Sequence, residues 1–180
     1  MRTLAVAAIG LMTLAGCNQD SKLAVENPKS GGLWAILVRS TAFNDGEAIP
    51  AKYSAKGGNV SPALKWNAGP GGTKEYVVVV QDTNSGGDRP ATHWLVYGIP
   101  AGVTSLPEGS AGGFKQGQNF KGEVGYIGPE DTGGKHEYYF QVLALDRSLD
   151  AEEGAIGHEL AAKYQGWVLA KGQLIGTFEK

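Results

Sequence analysis

The chain has 180 residues, of which 42% are hydrophobic and 19% charged, with a net charge of -2; that fits one domain of ordinary size around a proper core. The charge balance excludes a nucleic-acid footprint, which needs clustered Lys and Arg. With 28 glycines and 8 prolines, the composition favours many turns between short strands over long helices.

In chain order, Arg2 precedes an apolar run from Leu4 to Gly16. The run is shorter than the ~20 residues of a transmembrane helix and suits a secretory signal. It ends in Leu14-Ala15-Gly16-Cys17, which resembles the bacterial lipoprotein signal, where the cysteine is lipidated and becomes the new N-terminus. Residues 1–16 are therefore read as signal peptide, Cys17 as the lipidation site and residues 17–32 as a flexible tether. Residues 33–180 remain as the domain. Asn18 resembles the residue of outer-membrane-sorted lipoproteins, so the expected location is the cell envelope, lipid-anchored in the outer membrane and facing the periplasm. Cys17 is the only cysteine, which excludes an internal disulfide and a thiol nucleophile in the domain.

Leu33–Ser40 reads as a first strand, and Asn44-Asp45-Gly46 and Gly57-Gly58-Asn59 as turns. Ser61–Trp66 alternates enough for a short strand. Tyr76–Gln81 is almost wholly apolar, which predicts a central strand buried on both faces. Thr92–Ile99 is the next strand; regular alternation puts His93, Leu95 and Tyr97 on one face and Trp94 and Val96 on the other. Residues 101–122 are Gly-rich and irregular, and Glu123–Ile127 reads as short and extended. On a long strand from His136 to Asp146, His136, Tyr138, Phe140 and Val142 share a face. Ile156, Leu160, Tyr164, Trp167 and Val168 follow helical spacing, predicting a helix between Ala151 and Lys171 with Asp150 as N-cap. Its glycines point to two short pieces, and Leu174–Phe178 closes the chain as a strand. Many strands with one late helical region predict a mainly β protein, an antiparallel β-sandwich with a short C-terminal helical segment.

Two of the three histidines flank this pattern. Asp82 ends one strand and His93 lies near the start of the next, while His136 and Tyr138 share a face of a third. Such a cluster offers imidazole and phenol donors for a phosphate or carboxylate. Asp82 suits either a partner imidazole or the ammonium of a zwitterion, and the backbone around Gly128 offers further N–H donors. Two histidines and a carboxylate also match some iron and zinc sites, but no metal-binding spacing is present and no metal or cofactor is expected. G-x-S-x-G is missing, and Ser85, in the loop after Asp82, is the hydroxyl a hydrolytic reading would use. His158 reads as solvated surface, and the tryptophans as core or semi-core.

Lined up in order, these pieces resemble the phosphatidylethanolamine-binding proteins, in the bacterial branch called Raf-kinase-inhibitor-like. The matching segments include Ile49–Tyr53, Gly58–Trp66, Val77–Asp82, His93–Pro100, Gly125–Pro129, His136–Asp146 and Leu174–Phe178. The resemblance implies a sandwich of two antiparallel sheets with a small anion-binding pocket at one end. It places Asp82, His93, His136 and Tyr138 in that pocket, with Gly128 and Pro129 on its rim. The cluster, which lacks a nucleophile and a metal signature, is read as a non-enzymatic binding site, and the resemblance implies ligands such as phosphoethanolamine or a phospholipid headgroup. It also leaves open a protein partner, as an inhibitor or signalling component, with a His-dependent hydrolase as a third class. The chain departs from the family pattern at Thr83-Asn84-Ser85, where a second acid and a proline are usual, and at Glu130-Asp131, which follow Pro129. Two acids near the rim would weaken an anionic ligand or favour a zwitterionic one.

Overall fold

A computed structural model describes residues 35–179. The signal peptide, Cys17, the tether, Leu33 and Trp34 lie outside the described residues.

The organising strand is the valine run. β3 (Glu75–Asp82) is buried along all eight residues. Its β-branched side chains suit a pleated surface covered on both sides, and burying each contributes about 1.5–3 kcal/mol. β4 (Ala91–Pro100) and β7 (His136–Leu145) pair antiparallel with its two edges. β6 (Lys115–Gln116) flanks β4, and β8 (Val168–Phe178) flanks β7, giving a five-stranded sheet of order β6-β4-β3-β7-β8. β1 (Val38–Ser40), β2 (Leu64–Trp66) and β5 (Ser105–Leu106) form a second sheet of order β1-β2-β5.

One core lies between the sheets. Val38, Leu64, Trp66 and Leu106 of the small sheet meet Tyr76, Val78, Val80, Trp94 and Phe140 of the large one. The opposite face of the large sheet carries a second core, where Val77, Val79, Leu95 and Leu143 pack against Leu160 and Tyr164 of α1 (Gly157–Tyr164). The mainly β sandwich is therefore the fold, with one short helical segment near the C-terminus.

Several boundaries differ from expectation. The helix occupies eight residues, not the span from Ala151 to Lys171, and passes through a 3-10 turn at Gln165–Trp167. Val168–Lys171 belongs to β8, because pairing with β7 from Leu145 to Ala144 and Leu143 satisfies its backbone groups. Ile156 precedes the first helical residue and no side chain caps it, so Asp150 is not the N-cap. Among the described residues of the expected first strand, only Val38–Ser40 is regular, although Ala35 bridges to Lys171. Glu123–Ile127 forms no strand; Val124 makes an isolated bridge to Gln118.

Candidate functional site

The register of β3 and β7 sets the site. Asp82, the last residue of β3, lies opposite Tyr138, two residues past the start of β7. His136 is thus the diagonal neighbour of Asp82 on the same face. Its Nδ1 donates to Asp82 Oδ2 at 2.7 Å, while Asp82 Oδ1 accepts the Asn84 backbone N–H at 2.7 Å. Asn84 closes an Asx turn over the carboxylate, and its own Oδ1 accepts the Glu137 N–H at 3.0 Å. His136 Nε2 sits 2.8 Å from Thr132 Oγ1, so both ring nitrogens are engaged within the protein.

His93 reaches the same place by a break in the strand pattern. Val80 pairs with Trp94, but Gln81 pairs with Thr92, so β4 holds one residue more than β3 between these pairs. This β-bulge reverses the alternation before it. Thr92 faces the helix side, where its Oγ1 would lie 3.4 Å from a Cβ added at Gly157. His93 turns to the other face, edge-on to Tyr138 with ring centroids 5.1 Å apart. The expected grouping of His93 with Leu95 and Tyr97 is therefore corrected: those two pack in the helix-side core. A second bulge, opposite Val77, contains Gly98 at φ +74°, a left-handed conformation that suits glycine.

His93 is 3% exposed, with the Phe120 ring 4.9 Å from its own. Its Nδ1 lies 2.9 Å from the carbonyl oxygen of Ile127. A carbonyl only accepts, so Nδ1 carries a proton; in the neutral ring Nε2 is then an acceptor. Burial pushes the His93 pKa below its ordinary value, opposed in part by the Ile127 bond and the charges of Asp82 and Glu130. Tyr138 is 1% exposed, and burial followed by the Asp82 charge pushes its phenol well above the usual range. It remains a donor at every working pH.

These four residues border a cavity of about 550 Å³ at the end of the large sheet. Its wall also includes Phe120, Glu130, Thr132 and Arg89, with loop residues 84–87 and Ala91. Lys121 Nζ lies 2.6 Å from Glu130. Gly128 and Pro129 are not among the lining residues. Gly128 is held behind the wall: its N–H donates to Asn59 Oδ1 at 2.8 Å, and a Cβ there would lie 2.1 Å from the Tyr53 carbonyl oxygen. Its N–H is committed to that bond rather than open to a ligand. Pro129 accepts the Ala55 N–H at 3.0 Å. Sequence reasoning missed Arg89, Phe120 and Thr132. A cation two residues before β4, and an aromatic in the Gly-rich stretch, were the available signals.

Among the described residues, no group of three His, Cys, Asp or Glu side chains is placed to hold a metal ion. No described helix is long and apolar enough to cross a membrane.

The family model for phosphatidylethanolamine-binding protein matches residues 39–179. The chain belongs to this family. UPF0098 proteins of Methanothermobacter thermautotrophicus and Chlamydia trachomatis are 37% and 38% identical to it. These alignments cover 79% and 81% of this chain and 98% and 99% of theirs. A Mycobacterium tuberculosis relative named "Putative lipoprotein LppC" is 36% identical, covering 80% of this chain and 72% of its own. Among solved structures, the Chlamydia trachomatis PEBP homolog CT736 matches with a TM-score of 0.75 at 37% identity. Escherichia coli YbcL matches with a TM-score of 0.75 at 28% identity, and each alignment covers 81% of this chain and 98% of the other. Asp82, His93, His136 and Tyr138 all fall within the matched span.

Proposed function

We propose that this family member binds a small phosphate- or carboxylate-bearing ligand, free or as a phospholipid headgroup, in the cavity of Asp82, His93, His136 and Tyr138. The observation that carries the reading is the convergence of three strands' polar residues on one cavity of about 550 Å³. Residues so buried are costly to keep unless their polarity is used.

The anion meets three donors. Tyr138 supplies an O–H that Asp82 accepts in the free protein, and Arg89 a charged fork at the wall. His93 supplies Nε2–H once it gains a proton, which an incoming negative charge favours. Binding of an anion is thus coupled to proton uptake and strengthens as pH falls through the His93 titration. A ligand ammonium is accommodated by Asp82 and Glu130. Lipid anchoring through Cys17, with the domain at the envelope, is the accompanying proposal, supported by the lipoprotein name of one relative.

Calorimetric titration with phosphoethanolamine at pH 6 tests the reading. Wild type should bind, and His93→Ala should bind at least about tenfold more weakly, as loss of one charge-assisted hydrogen bond requires. Equal affinities, or no binding to wild type at pH 6, would count against the pocket.

A further inference from the structure

A separate cavity of about 270 Å³ lies where the segments entering β2, leaving β5 and flanking β6 converge on Trp94 of β4. It shares no lining residue with the cavity of Asp82 and His93. No residue that lines it carries a charge. The Trp94 and Tyr126 rings meet edge to face, with centroids 5.7 Å apart and planes at 84°, and supply an apolar wall. Asn59, Ser61, Ser110 and Gln116 bring polar side chains to the same space.

Bonds within the protein fix what these groups have left to offer. The indole N–H of Trp94 can only donate, and it donates to Gln116 Oε1 at 2.8 Å. The amide is thereby oriented, and its Nε2 hydrogens remain unspent among the described residues. The Gly128 N–H donates to Asn59 Oδ1 at 2.8 Å, which in the same way commits the oxygen and leaves Nδ2. Tyr126 Oη donates to the Tyr53 carbonyl oxygen at 2.9 Å and keeps its lone pairs. Ser110 Oγ accepts the Gly112 N–H at 3.0 Å and keeps its O–H. Ser61 is 4% exposed, yet among the described residues nothing bonds its hydroxyl. A buried hydroxyl is costly to leave unpaired, and the cavity is the side from which Ser61 can be paired.

We infer that this cavity is a binding site for a single neutral sugar ring. The two amides donate, the Ser61 and Ser110 hydroxyls donate and accept, and Tyr126 Oη accepts. A sugar hydroxyl also does both, whereas an ammonium cannot accept and a carboxylate cannot donate. An ion would enter without a countercharge, and a charge taken from water unpaired is expensive. The aromatic wall takes the C–H face of the ring. At about 270 Å³ the cavity falls just below the roughly 300–1,000 Å³ of pockets for drug-sized ligands, which limits it to one ring. The site does not depend on the phosphate reading of the first cavity.

Saturation-transfer NMR and calorimetry on the full-length protein at pH 6, with methyl glucoside and N-acetylglucosamine, test the inference. At least one should bind with a Kd of about 1 mM, as three or four hydrogen bonds of ordinary net strength give. Glucosamine and glucuronate, the charged counterparts, should bind at least about tenfold more weakly. Ser61→Ala should weaken the neutral sugar by about fivefold to tenfold. Its urea midpoint should be unchanged or raised, because the hydroxyl removed has no partner among the described residues. Ser110→Trp, at an exposed position lining the cavity, should abolish binding. Excess phosphoethanolamine should not displace the sugar. Failure of both neutral sugars to bind wild type overturns the inference, as do charged sugars that bind equally well or displacement by phosphoethanolamine. An affinity that survives Ser61→Ala or Ser110→Trp overturns it too, and a stability loss in Ser61→Ala with that unchanged affinity would make the hydroxyl structural. Methyl cellobioside binding at least as tightly as methyl glucoside supports the end residue of a polymer as the source of the ring. Weaker binding of the disaccharide supports a free sugar.

Discussion

The bond between Asp82 and His136 is the joint of the proposed site, and removing the carboxylate gives a measurable signature. Asp82 accepts hydrogen bonds from Asn84 N–H and His136 Nδ1. The side chains are 5% and 14% exposed, so water replaces neither partner easily. Asp82→Ala leaves Asn84 N–H and His136 Nδ1 without a partner, at about 1–3 kcal/mol each, and should cost roughly 2–5 kcal/mol of stability. Asp82→Asn can keep Asn84 N–H on its oxygen. Its amide then faces His136 Nδ1, and the ring proton moves to Nε2, where Thr132 Oγ1 accepts it. The bond count survives and the charge does not, so a cost of roughly 1 kcal/mol is expected. Urea unfolding at pH 7 separates the two variants. A double-mutant cycle of Asp82→Ala with His136→Ala should return a coupling of about 1–2 kcal/mol. Equal costs for Asp82→Ala and Asp82→Asn, or a coupling below about 0.3 kcal/mol, would refute the reasoning and make the pair a solvated surface contact.

Burial holds the Glu75 carboxyl above the usual carboxylate range, against its bonds from Leu149 and Gly98 N–H. The folded state therefore keeps its proton longer than the unfolded one, and this contribution to stability is lost as pH rises through the folded pKa; urea midpoints should favour Glu75→Gln progressively with rising pH. His93 runs the other way. Its pKa is lowered on folding, so its contribution is present above the unfolded value of about 6.5 and is lost as pH falls toward the folded one. Nitrogen-detected NMR at pH 7 should find Nδ1 protonated and Nε2 bare. Gly128→Ala forces a Cβ to within 2.1 Å of the Tyr53 carbonyl oxygen and should lower stability by about 2 kcal/mol or more through backbone displacement, read by thermal unfolding. Cys17→Ala should remove an acyl mass increment and membrane fractionation together; an unmodified Cys17 in purified protein would reject the anchor.

Most of the strands were legible because apolar runs of strand length are bounded by turn residues. Tyr76–Gln81 and His136–Asp146 needed only composition and period. What the sequence hid were interruptions of period. Nothing local marks His93 as the extra residue of a bulge, since Thr92-His93-Trp94-Leu95 reads as unbroken alternation. The surplus is defined only by the partner strand, where Gln81 pairs with Thr92. Yet that surplus residue is what delivers an imidazole to Tyr138. The helix was overextended for a related reason. Trp167 and Val168 fit helical spacing, but Val168 is claimed by the ladder to β7, a tertiary demand that propensity does not register. Glycine at 128 permits close approach, which in sequence suggests a backbone donor. The close approach is real, but it is made by the segment from Tyr53 to Ala55 on the far side.

The two acids after Pro129 show why charge at a rim cannot be counted from sequence. Glu130 and Asp131 together would repel an anion. In the fold, Glu130 lies 2.6 Å from Lys121 and Asp131 lies 3.9 Å from Lys56. The second pair is exposed and worth little in itself, but both place a cation beside each added acid. The departure at Thr83-Asn84-Ser85 is likewise taken up within the structure. Asn84 ties the loop to Asp82 and Glu137, and Ser85 Oγ accepts the Ala91 N–H at 3.0 Å. The loop between β3 and β4, which carries Arg89, is thus closed by side-chain bonds at both ends. Loosening it with Asn84→Gly should therefore weaken ligand binding more than it lowers stability, because Arg89 is exposed and contributes nothing to the core. Paired calorimetry and urea unfolding on that one variant decide it. A stability loss with unchanged affinity would mean that the loop braces β3 and β7 and does not position the cation.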